Sequence, residues 1–563
     1  MLYNTGNPVI VQSDRTILLE VDNDNFVQAR NALSKFAELE KSPEHIHTYR
    51  LSPLSLWNAA SLGLTSEQVT GYLEQFSKYD IPQNIRFEII EQMSRYGKLK
   101  LISDGGMLKL ESTEEHIITE IWNSEQLRPY LDELLDNYTV LINPANRGFI
   151  KQSMIKLGFP VEDVAGYTAG LPLKISLRKI SRGRREFDLR AYQNEAVEVF
   201  YEGGSAHGGA GVIVLPCGSG KTIIGIGIME KCSTRTLILT TNITALRQWR
   251  DELLDKTSLT AGKVGEYSGE RKDIKPVTIA TYNILTYRKT KLSGFPHFSL
   301  FNREDWGLII YDEVHLLPAP VFRYTAEIQA KRRLGLTATL VREDNRETDV
   351  FSLIGPKKYD VPWKDLEKQG WIATAACTEI RVALTDELRV KYAVSGLRKK
   401  YRIASENTAK IGVVERLIER HRDDLVLVIG QYISQLEMIA SEFDAPIITG
   451  KVESLEREKL YNAFRKGKIK LLVVSKVANF AVDLPDANVA IQVSGTFGSR
   501  QEEAQRLGRI LRPKRNEEMA QFYSVVTRDT HDQEFSAKRQ LFLTEQGYSY
   551  NIVNSERYFA EKS

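Results

Sequence analysis

Two long tracts of the chain alternate short apolar runs with amphipathic stretches. In the first, residues 186–365, the apolar runs are Gly211–Leu215, Thr236–Thr240, Val277–Ala280, Leu308–Tyr311 and Arg333–Leu336. In the second, residues about 410–530, they are Leu425–Ile429, Pro446–Ile448, Lys470–Val474, Val489–Val493 and Gln521–Val526. Runs that are apolar throughout suit strands buried on both faces, and intervening helices make a parallel sheet the economical solution. The pattern therefore predicts an α/β protein with two parallel-sheet lobes of similar size.

The first 180 residues are patterned differently. Short strands are expected at Ile10–Ser13 and Thr16–Val21, and helical period runs from Phe26 to Leu39. Thr65-Ser-Glu-Gln68 is a capping box. It opens a helix to about Lys78, followed by a turn and a second helix to about Tyr96. Two alternating runs around Asp104-Gly-Gly106 then read as a hairpin. Helix, turn, helix, hairpin resembles a winged helix-turn-helix, a module that serves either DNA or protein contact. Residues 116–178 are expected as strand (His116–Trp122), helix (Ser124–Leu135), strand (Tyr138–Ile142), helix (Gly148–Leu157) and strand (Leu171–Leu177), a small α/β domain. Lys179–Arg185 is basic and predicts a linker, either solvated or touching a phosphate backbone. The last stretch, Ser536–Ser563, predicts a helix and a strand.

Composition narrows the class. With 563 residues, 42% of them hydrophobic and 26% charged, the chain can bury several cores. No apolar run reaches the roughly 18 residues of a membrane span, and the N-terminus lacks an export signal. Cys217, Cys232 and Cys377 are scattered, which fits a reducing cytoplasm and no disulfide framework. Net charge is only +3, so any case for nucleic acid rests on local patches.

The chemistry begins at Val214-Leu-Pro-Cys-Gly-Ser-Gly-Lys-Thr222. It follows an apolar strand and opens an apolar helix, the setting a phosphate-binding loop requires. Gly218 and Gly220 let successive N–H groups face one anion, and the helix N-terminus adds positive dipole. Pro216, Cys217 and Ser219 complete the loop, with Cys217 a small filler. Lys221 would reach the β- and γ-phosphates of a nucleotide, and the Thr222 hydroxyl would sit on Mg²⁺. The strict eight-residue form is not met, because Leu215 stands where its first Gly belongs. In Leu308-Ile-Ile-Tyr-Asp-Glu-Val-His315 an apolar strand ends in two acids. Asp312 is placed to hold Mg²⁺ and Glu313 to activate a water. His315 could be bonded by the hydroxyls of Thr337-Ala-Thr339. Arg190 and Gln193 fit an adenine reader, or a helix cap. Gln505-Arg-Leu-Gly-Arg-Ile-Leu-Arg512 places Arg509 and Arg512 on one helix face, suited to transition-state charge on a γ-phosphate.

Taken in order, these motifs resemble those of superfamily 2 helicases. Thr281-Tyr282, Ser475-Lys-Val477 and Asp483 complete the set. Thr337-Ala-Thr-Leu-Val-Arg-Glu-Asp344, Val482-Asp-Leu-Pro-Asp-Ala-Asn-Val489 and Gly498–Pro513 narrow the resemblance to the bacterial-type branch of the XPB DNA-repair helicases. Leu54–Ala59 and Arg147–Gly166 are similar to that branch too.

The resemblance implies two RecA-like lobes with ATP and Mg²⁺ between them, Gln505 among the nucleotide contacts, and DNA as substrate. It implies DNA-dependent ATP hydrolysis, 3′-to-5′ unwinding in repair, and a nuclease or repair protein as partner. It makes Arg342, Glu343 and Asp344 the element that parts the strands, although an ion-paired turn would read alike. A short thumb-like segment is expected at 385–408, where Lys399, Lys400 and Arg402, interleaved with Tyr392 and Tyr401, suit backbone contact with base stacking, or a solvated face.

The expected organisation is an N-terminal module (1–110), a damage-recognition-like domain (111–180), lobe 1 (186–365), lobe 2 (366–535) and a tail (536–563). A duplex translocase that leaves strands paired, and a DNA-binding regulator using the N-terminal module, are the rival functions.

Overall fold

The computed structural model describes residues 4–41, 45–205, 207–216, 218–290, 295–318, 320, 321, 325, 328, 331–338, 347–361, 363–371, 374–475, 487–495, 519–545, 548 and 550–560. The chain divides into two compact units. One comprises Met1–Glu38, Thr48–Leu215 and Gly220–Asp360; the other comprises Leu39–His47, Pro216–Ser219 and Val361–Ser563.

The expected α/β class holds, since each unit contains a seven-stranded parallel sheet. In the first, the strand order is Val264–Tyr267, Val277–Thr281, Thr236–Thr240, Leu308–Asp312, Arg332–Thr337, Ala210–Val214, Lys357–Asp360. Five of these strands were legible as apolar runs. The two edge strands, Val264–Tyr267 and Lys357–Asp360, are too polar to stand out. In the second sheet the order is Ile447–Ile448, Leu471–Ser475, Val426–Gly430, Val489–Gln492, Ala520–Thr527, Ala375–Val382, Tyr550–Asn554. Tyr550–Asn554 pairs with Ala375–Val382, so segment 536–563 is built into that sheet. Its helix begins earlier than expected, at His531, and runs to Glu545. Buried Lys410 pins the start of this helix, donating to Asp532 Oδ2 (2.7 Å) and the Val493 carbonyl (2.8 Å).

The N-terminal third departs from its pattern in four places. The helical period from Phe26 yields a helix only to Leu33, and a strand follows at Glu38–Lys41. His116–Trp122 lies in the helix Glu115–Asn123, not a strand; Ile117, Ile118 and Ile121 make one buried helical stripe. Ser124–Leu135 is not a helix, because Pro129 lacks the N–H a helix interior needs. It forms a 3₁₀ turn, Arg128–Tyr130, and leads into the strand Glu133–Asp136. Leu171–Leu177 makes only isolated bridges, Pro172 to Thr234 and Leu177 to Thr257, since Pro172 cannot donate to a ladder.

The capping box forms, with Gln68 N donating to Thr65 Oγ1 (3.3 Å) and Thr65 N to Gln68 Oε1 (3.0 Å). The hairpin forms too, Leu99–Asp104 against Met107–Ser112, turning on Gly105 and Gly106 at φ 59° and 83°. It is no free-standing wing: both strands belong to a five-stranded sheet with Glu133–Asp136, Thr139–Ile142 and Val161–Asp163. The basic linker is exposed except at Ser181, as the solvated reading expects, but it is tethered. Arg178 Nε and Arg182 Nη2 donate to the Thr257 and Leu259 carbonyls, beyond the C-terminus of the helix Ile243–Lys256.

A buried ionic cluster joins this region to the first parallel sheet. Arg147 makes paired hydrogen bonds to Asp163 (2.6–3.1 Å) and reaches the Gly166 carbonyl (3.0 Å), while Lys151 donates to Asp163 Oδ2 (2.9 Å). Arg147, Arg332 and Arg333 all lie within 5.7–5.8 Å of the Tyr167 ring centre. Burial pushes the Asp163 carboxyl up, but Lys151 and Arg147 outweigh it and hold it well below the usual carboxylate range. Burial brings the Lys151 ammonium down to about 8 despite the attraction of Asp163. Alongside, Trp57, Ile155 and Phe351 form a small apolar cluster, and Gln152 Nε2 donates to Asp349 (2.9 Å). Asp163→Ala should therefore strand two buried cations and cost about 3–5 kcal/mol of stability. Chemical denaturation monitored by tryptophan fluorescence checks this; an unchanged midpoint would show that the carboxylate is not the keystone.

Candidate functional site

Three adjacent strands of the first sheet, Leu308–Asp312, Arg332–Thr337 and Ala210–Val214, end level with one another. Val214 lies beside Thr337, and Leu336 beside Asp312. Ligands of open α/β sheets bind beyond such carboxyl ends. Here parallel register, rather than sequence proximity, gathers the motif residues.

After Val214 the chain turns through the phosphate-type loop into the helix Lys221–Cys232, whose N-cap is Gly220 at φ 84° and ψ 40°. Gly218 is left-handed as well, at φ 83°. Within the loop, Ser219 Oγ donates to the Pro216 carbonyl (2.7 Å). Lys221 is buried, and its Nζ donates to the Leu215 carbonyl (3.2 Å) and lies 4.0 Å from Glu313 Oε1. Thr222 is half-buried in the helix's first turn.

Asp312 ends a strand whose other four residues are fully buried. Trp249 Nε1 donates to its Oδ2 (2.9 Å), and the Tyr282 hydroxyl donates to its backbone carbonyl (2.9 Å). Burial, reinforced by the adjacent Glu313, pushes the Asp312 carboxyl up to about 6, against the pull of Trp249 and Lys221. Glu313 is itself left-handed (φ 50°), a conformation that costs energy for a residue with a side chain and clusters at functional sites. Its Oε2 is buried and has no hydrogen bond among the described residues; His315 Nδ1 lies 3.4 Å away. The same Nδ1 is 2.6 Å from Thr337 Oγ1, the link between the two motifs that the sequence suggested.

Gln193 is buried, and its Oε1 accepts from the Arg190 backbone N–H (3.0 Å). Of the two roles open to it, helix capping occupies this oxygen. Its Nε2 would stand only 2.6 Å from a Cβ added at Gly220, so the amide packs directly against the start of the nucleotide-type helix. Arg190 Nη1 donates to the Tyr192 hydroxyl (3.2 Å).

The site fits a nucleotide with a hard cation. The described residues contain no group of three or more His, Cys, Asp and Glu that could cage a metal. Magnesium asks for less: a hydroxyl and a carboxylate such as those of Thr222 and Asp312, with phosphates and water completing its shell.

Cys217, Arg342, Glu343, Asp344, Gln505, Arg509 and Arg512 fall outside the described residues. The thumb-like segment is a pair of helices, Asp386–Ala393 and Leu397–Ser405. Lys399 is exposed. Lys400 lies over the Tyr392 ring at 5.4 Å, and Arg402 Nε pairs with Glu406 (2.8 Å). The expectation of base stacking on Tyr401 fails: its ring is fully buried against Phe535, 4.8 Å between centres, and its hydroxyl bonds to the Gly495 carbonyl. Trp249 was not singled out from sequence. Spaced with Leu246 and Leu253, it reads as one more core position of a helix, and nothing local marks its N–H.

Similarity to known proteins extends along the whole chain. Residues 366–563 match the ERCC3/RAD25/XPB C-terminal helicase model, residues 186–342 the type III restriction enzyme res subunit model, and residues 9–136 a helicase conserved C-terminal domain model. The chain is 54% identical over 554 residues to the DNA 3′-5′ helicase XPB of Kineococcus radiotolerans, covering 98% of this chain and 97% of that one. It is 53% identical over 553 residues to the protein of the same name from Mycobacterium tuberculosis, covering 98% of each. It is 34% identical over 566 residues to the XPB helicase/translocase subunit of general transcription and DNA repair factor IIH from Enterocytozoon bieneusi, covering 97% of this chain and 92% of that one.

The raised Asp312 carboxyl has a consequence for stability. A carboxyl that binds its proton more tightly when folded costs stability where it is ionised, and the cost is relieved as pH falls from about 6 towards the ordinary 3.8. Asp312→Asn should therefore raise the melting temperature of the nucleotide-free, magnesium-free protein at pH 8, with the gain shrinking towards pH 4. Calorimetry across that range checks it, and a gain that grows as pH falls would contradict it.

Proposed function

Because the chain belongs to the XPB family of superfamily 2 helicases, we propose that it is an ATP-driven DNA helicase that moves 3′ to 5′ and serves DNA repair. The observation that carries this is the meeting of Lys221, Asp312 and Glu313 beyond the level ends of neighbouring parallel strands.

Each residue has a task its surroundings suit. Lys221, held by the Leu215 carbonyl, presents its ammonium to the β- and γ-phosphates. Thr222 and Asp312 would hold magnesium, which would neutralise phosphate charge. Glu313 accepts a proton from the attacking water through Oε2, the oxygen with no hydrogen bond among the described residues. His315, tied to Thr337, carries the change at the γ-phosphate to the strand Arg332–Thr337, and so towards Arg342–Asp344. Arg509 and Arg512 supply transition-state charge from the second lobe, with Gln505 on the nucleotide. Gln193 and Arg190 read the adenine, Gln193 through its amide nitrogen. Lys399 and its basic neighbours contact the DNA backbone. The two lobes expected from 186–365 and from 366 onward, the latter taking in the tail, and a nuclease or repair partner belong to the same proposal. Among the described residues no helix is long and apolar enough to cross a membrane, which suits work on DNA in the cytoplasm.

ATP hydrolysis with and without DNA, and unwinding of a duplex with a 3′ overhang, test the proposal. Lys221→Ala should abolish hydrolysis. Glu313→Gln should still bind ATP but turn over at least about 100-fold more slowly, as loss of a general base implies. Near-parent turnover in either removes the catalytic assignment. Hydrolysis stimulated by duplex DNA without strand displacement would identify a translocase instead, and hydrolysis indifferent to DNA a regulator.

Replacing Arg342, Glu343 and Asp344 together by Ala should leave ATP binding intact, because none belongs to the phosphate loop or the acid pair. Strand separation per ATP hydrolysed should fall sharply on a forked duplex. An unchanged ratio would make the triplet an ion-paired turn.

A further inference from the structure

We propose that Trp249 is a positioning residue for hydrolysis, fixing the Asp312 carboxylate in the orientation that receives the magnesium; this rests on the assignment of Asp312 to the metal. Trp249 sits on the helix Ile243–Lys256, 1% exposed, between the buried Leu246 and Leu253. Its Nε1 donates to Asp312 Oδ2 at 2.9 Å. An indole has one polar hydrogen and no acceptor, so this bond engages its whole capacity, and it engages it on the acid rather than on a backbone carbonyl.

The opposite edge of the ring explains why the contact is more than a satisfied core tryptophan. A Cβ added at Gly225 would lie 2.6 Å from Trp249 Cη2. Gly225 belongs to the helix Lys221–Cys232 that follows the phosphate-type loop. The indole is therefore wedged between that helix and Asp312. The backbone of Asp312 is held separately by the Tyr282 hydroxyl. With the main chain fixed there and Oδ2 fixed by the indole, rotation of the carboxylate would break a partly buried hydrogen bond.

Chemistry favours an indole for this task. A cationic donor would neutralise the carboxylate and compete with the metal. A neutral N–H orients the acid and leaves its charge for the cation. Outer-sphere partners of this sort typically set metal affinity by about 10–100-fold.

The test uses the full chain with a fluorescent ADP analogue, titrated with magnesium at fixed nucleotide, and with nucleotide in the absence of metal. Trp249→Phe keeps a buried ring and removes the N–H. It should raise the half-saturating magnesium concentration about tenfold or more, in binding and in ATP hydrolysis alike, and leave metal-free nucleotide affinity unchanged. Leu253→Ala, on the same helix and buried, should lower the melting temperature but leave the magnesium requirement at the parent value. Asp312→Asn should lose the magnesium dependence of binding. If Trp249→Phe needs no more magnesium than the parent while Asp312→Asn loses the dependence, Trp249 is packing only and the proposal falls. If Leu253→Ala raises the requirement as much as Trp249→Phe, the effect is one of general stability and the proposal falls likewise. If Asp312→Asn keeps the dependence, the metal assignment itself is wrong.

Discussion

A carboxylate half-buried at the end of an apolar strand has lost part of its water, and the fold must make up for it. Asp312 is in that position, next to a second acid, and its raised proton affinity records the cost. Much of the first unit's architecture answers this one constraint. Parallel register brings Lys221 and Thr337 to the same edge. The indole of Trp249 and the hydroxyl of Tyr282 hold the acid by its side chain and its carbonyl. Gly225 lacks a side chain where the indole must approach. Charge left unbalanced in this way favours a cation, as the proposed magnesium role of Asp312 requires.

A second buried ionic centre does different work. Arg147, Lys151 and Asp163 meet Arg333 and Tyr167 across the seam between the N-terminal modules and the first parallel sheet. Arg333 Nε also donates to the Leu353 carbonyl (2.8 Å), the last residue of the helix Glu347–Leu353. Asp349 and Phe351 of that helix contact Gln152 and Trp57. The strand that ends at Thr337 and the helix that resumes at Glu347 are thus both fastened to the N-terminal modules. Arg342, Glu343 and Asp344 lie between them in sequence.

The second unit has its own anchors. Glu379, almost fully buried, accepts from Ser536 Oγ (2.9 Å), Gln540 Nε2 (2.6 Å) and Arg381 Nε (2.8 Å). With Lys410 and Asp532, it locks the C-terminal helix onto the sheet.

Residue order alone reveals the strands that are apolar on both faces, because burial in a parallel sheet demands it residue by residue. It also reveals the phosphate-type loop and the acid pair, because glycine torsions and strand-end chemistry are local. It went astray at Ile117–Ile121, where a short apolar run suits strand and helix equally, and at Ser124–Leu135, where Pro129 carried more weight than the surrounding pattern. Edge strands such as Val264–Tyr267 escaped notice because Val264-Gly-Glu-Tyr267 is too short and too polar to make an apolar run. Who meets whom emerges only on folding: Gln193 commits its oxygen to a helix cap, Tyr401 is sealed in a core and not offered to a base, and an unremarkable core tryptophan reaches Asp312. Such pairings join residues tens of positions apart through the packing of helices on a sheet, and packing distance leaves no trace in the order of the residues.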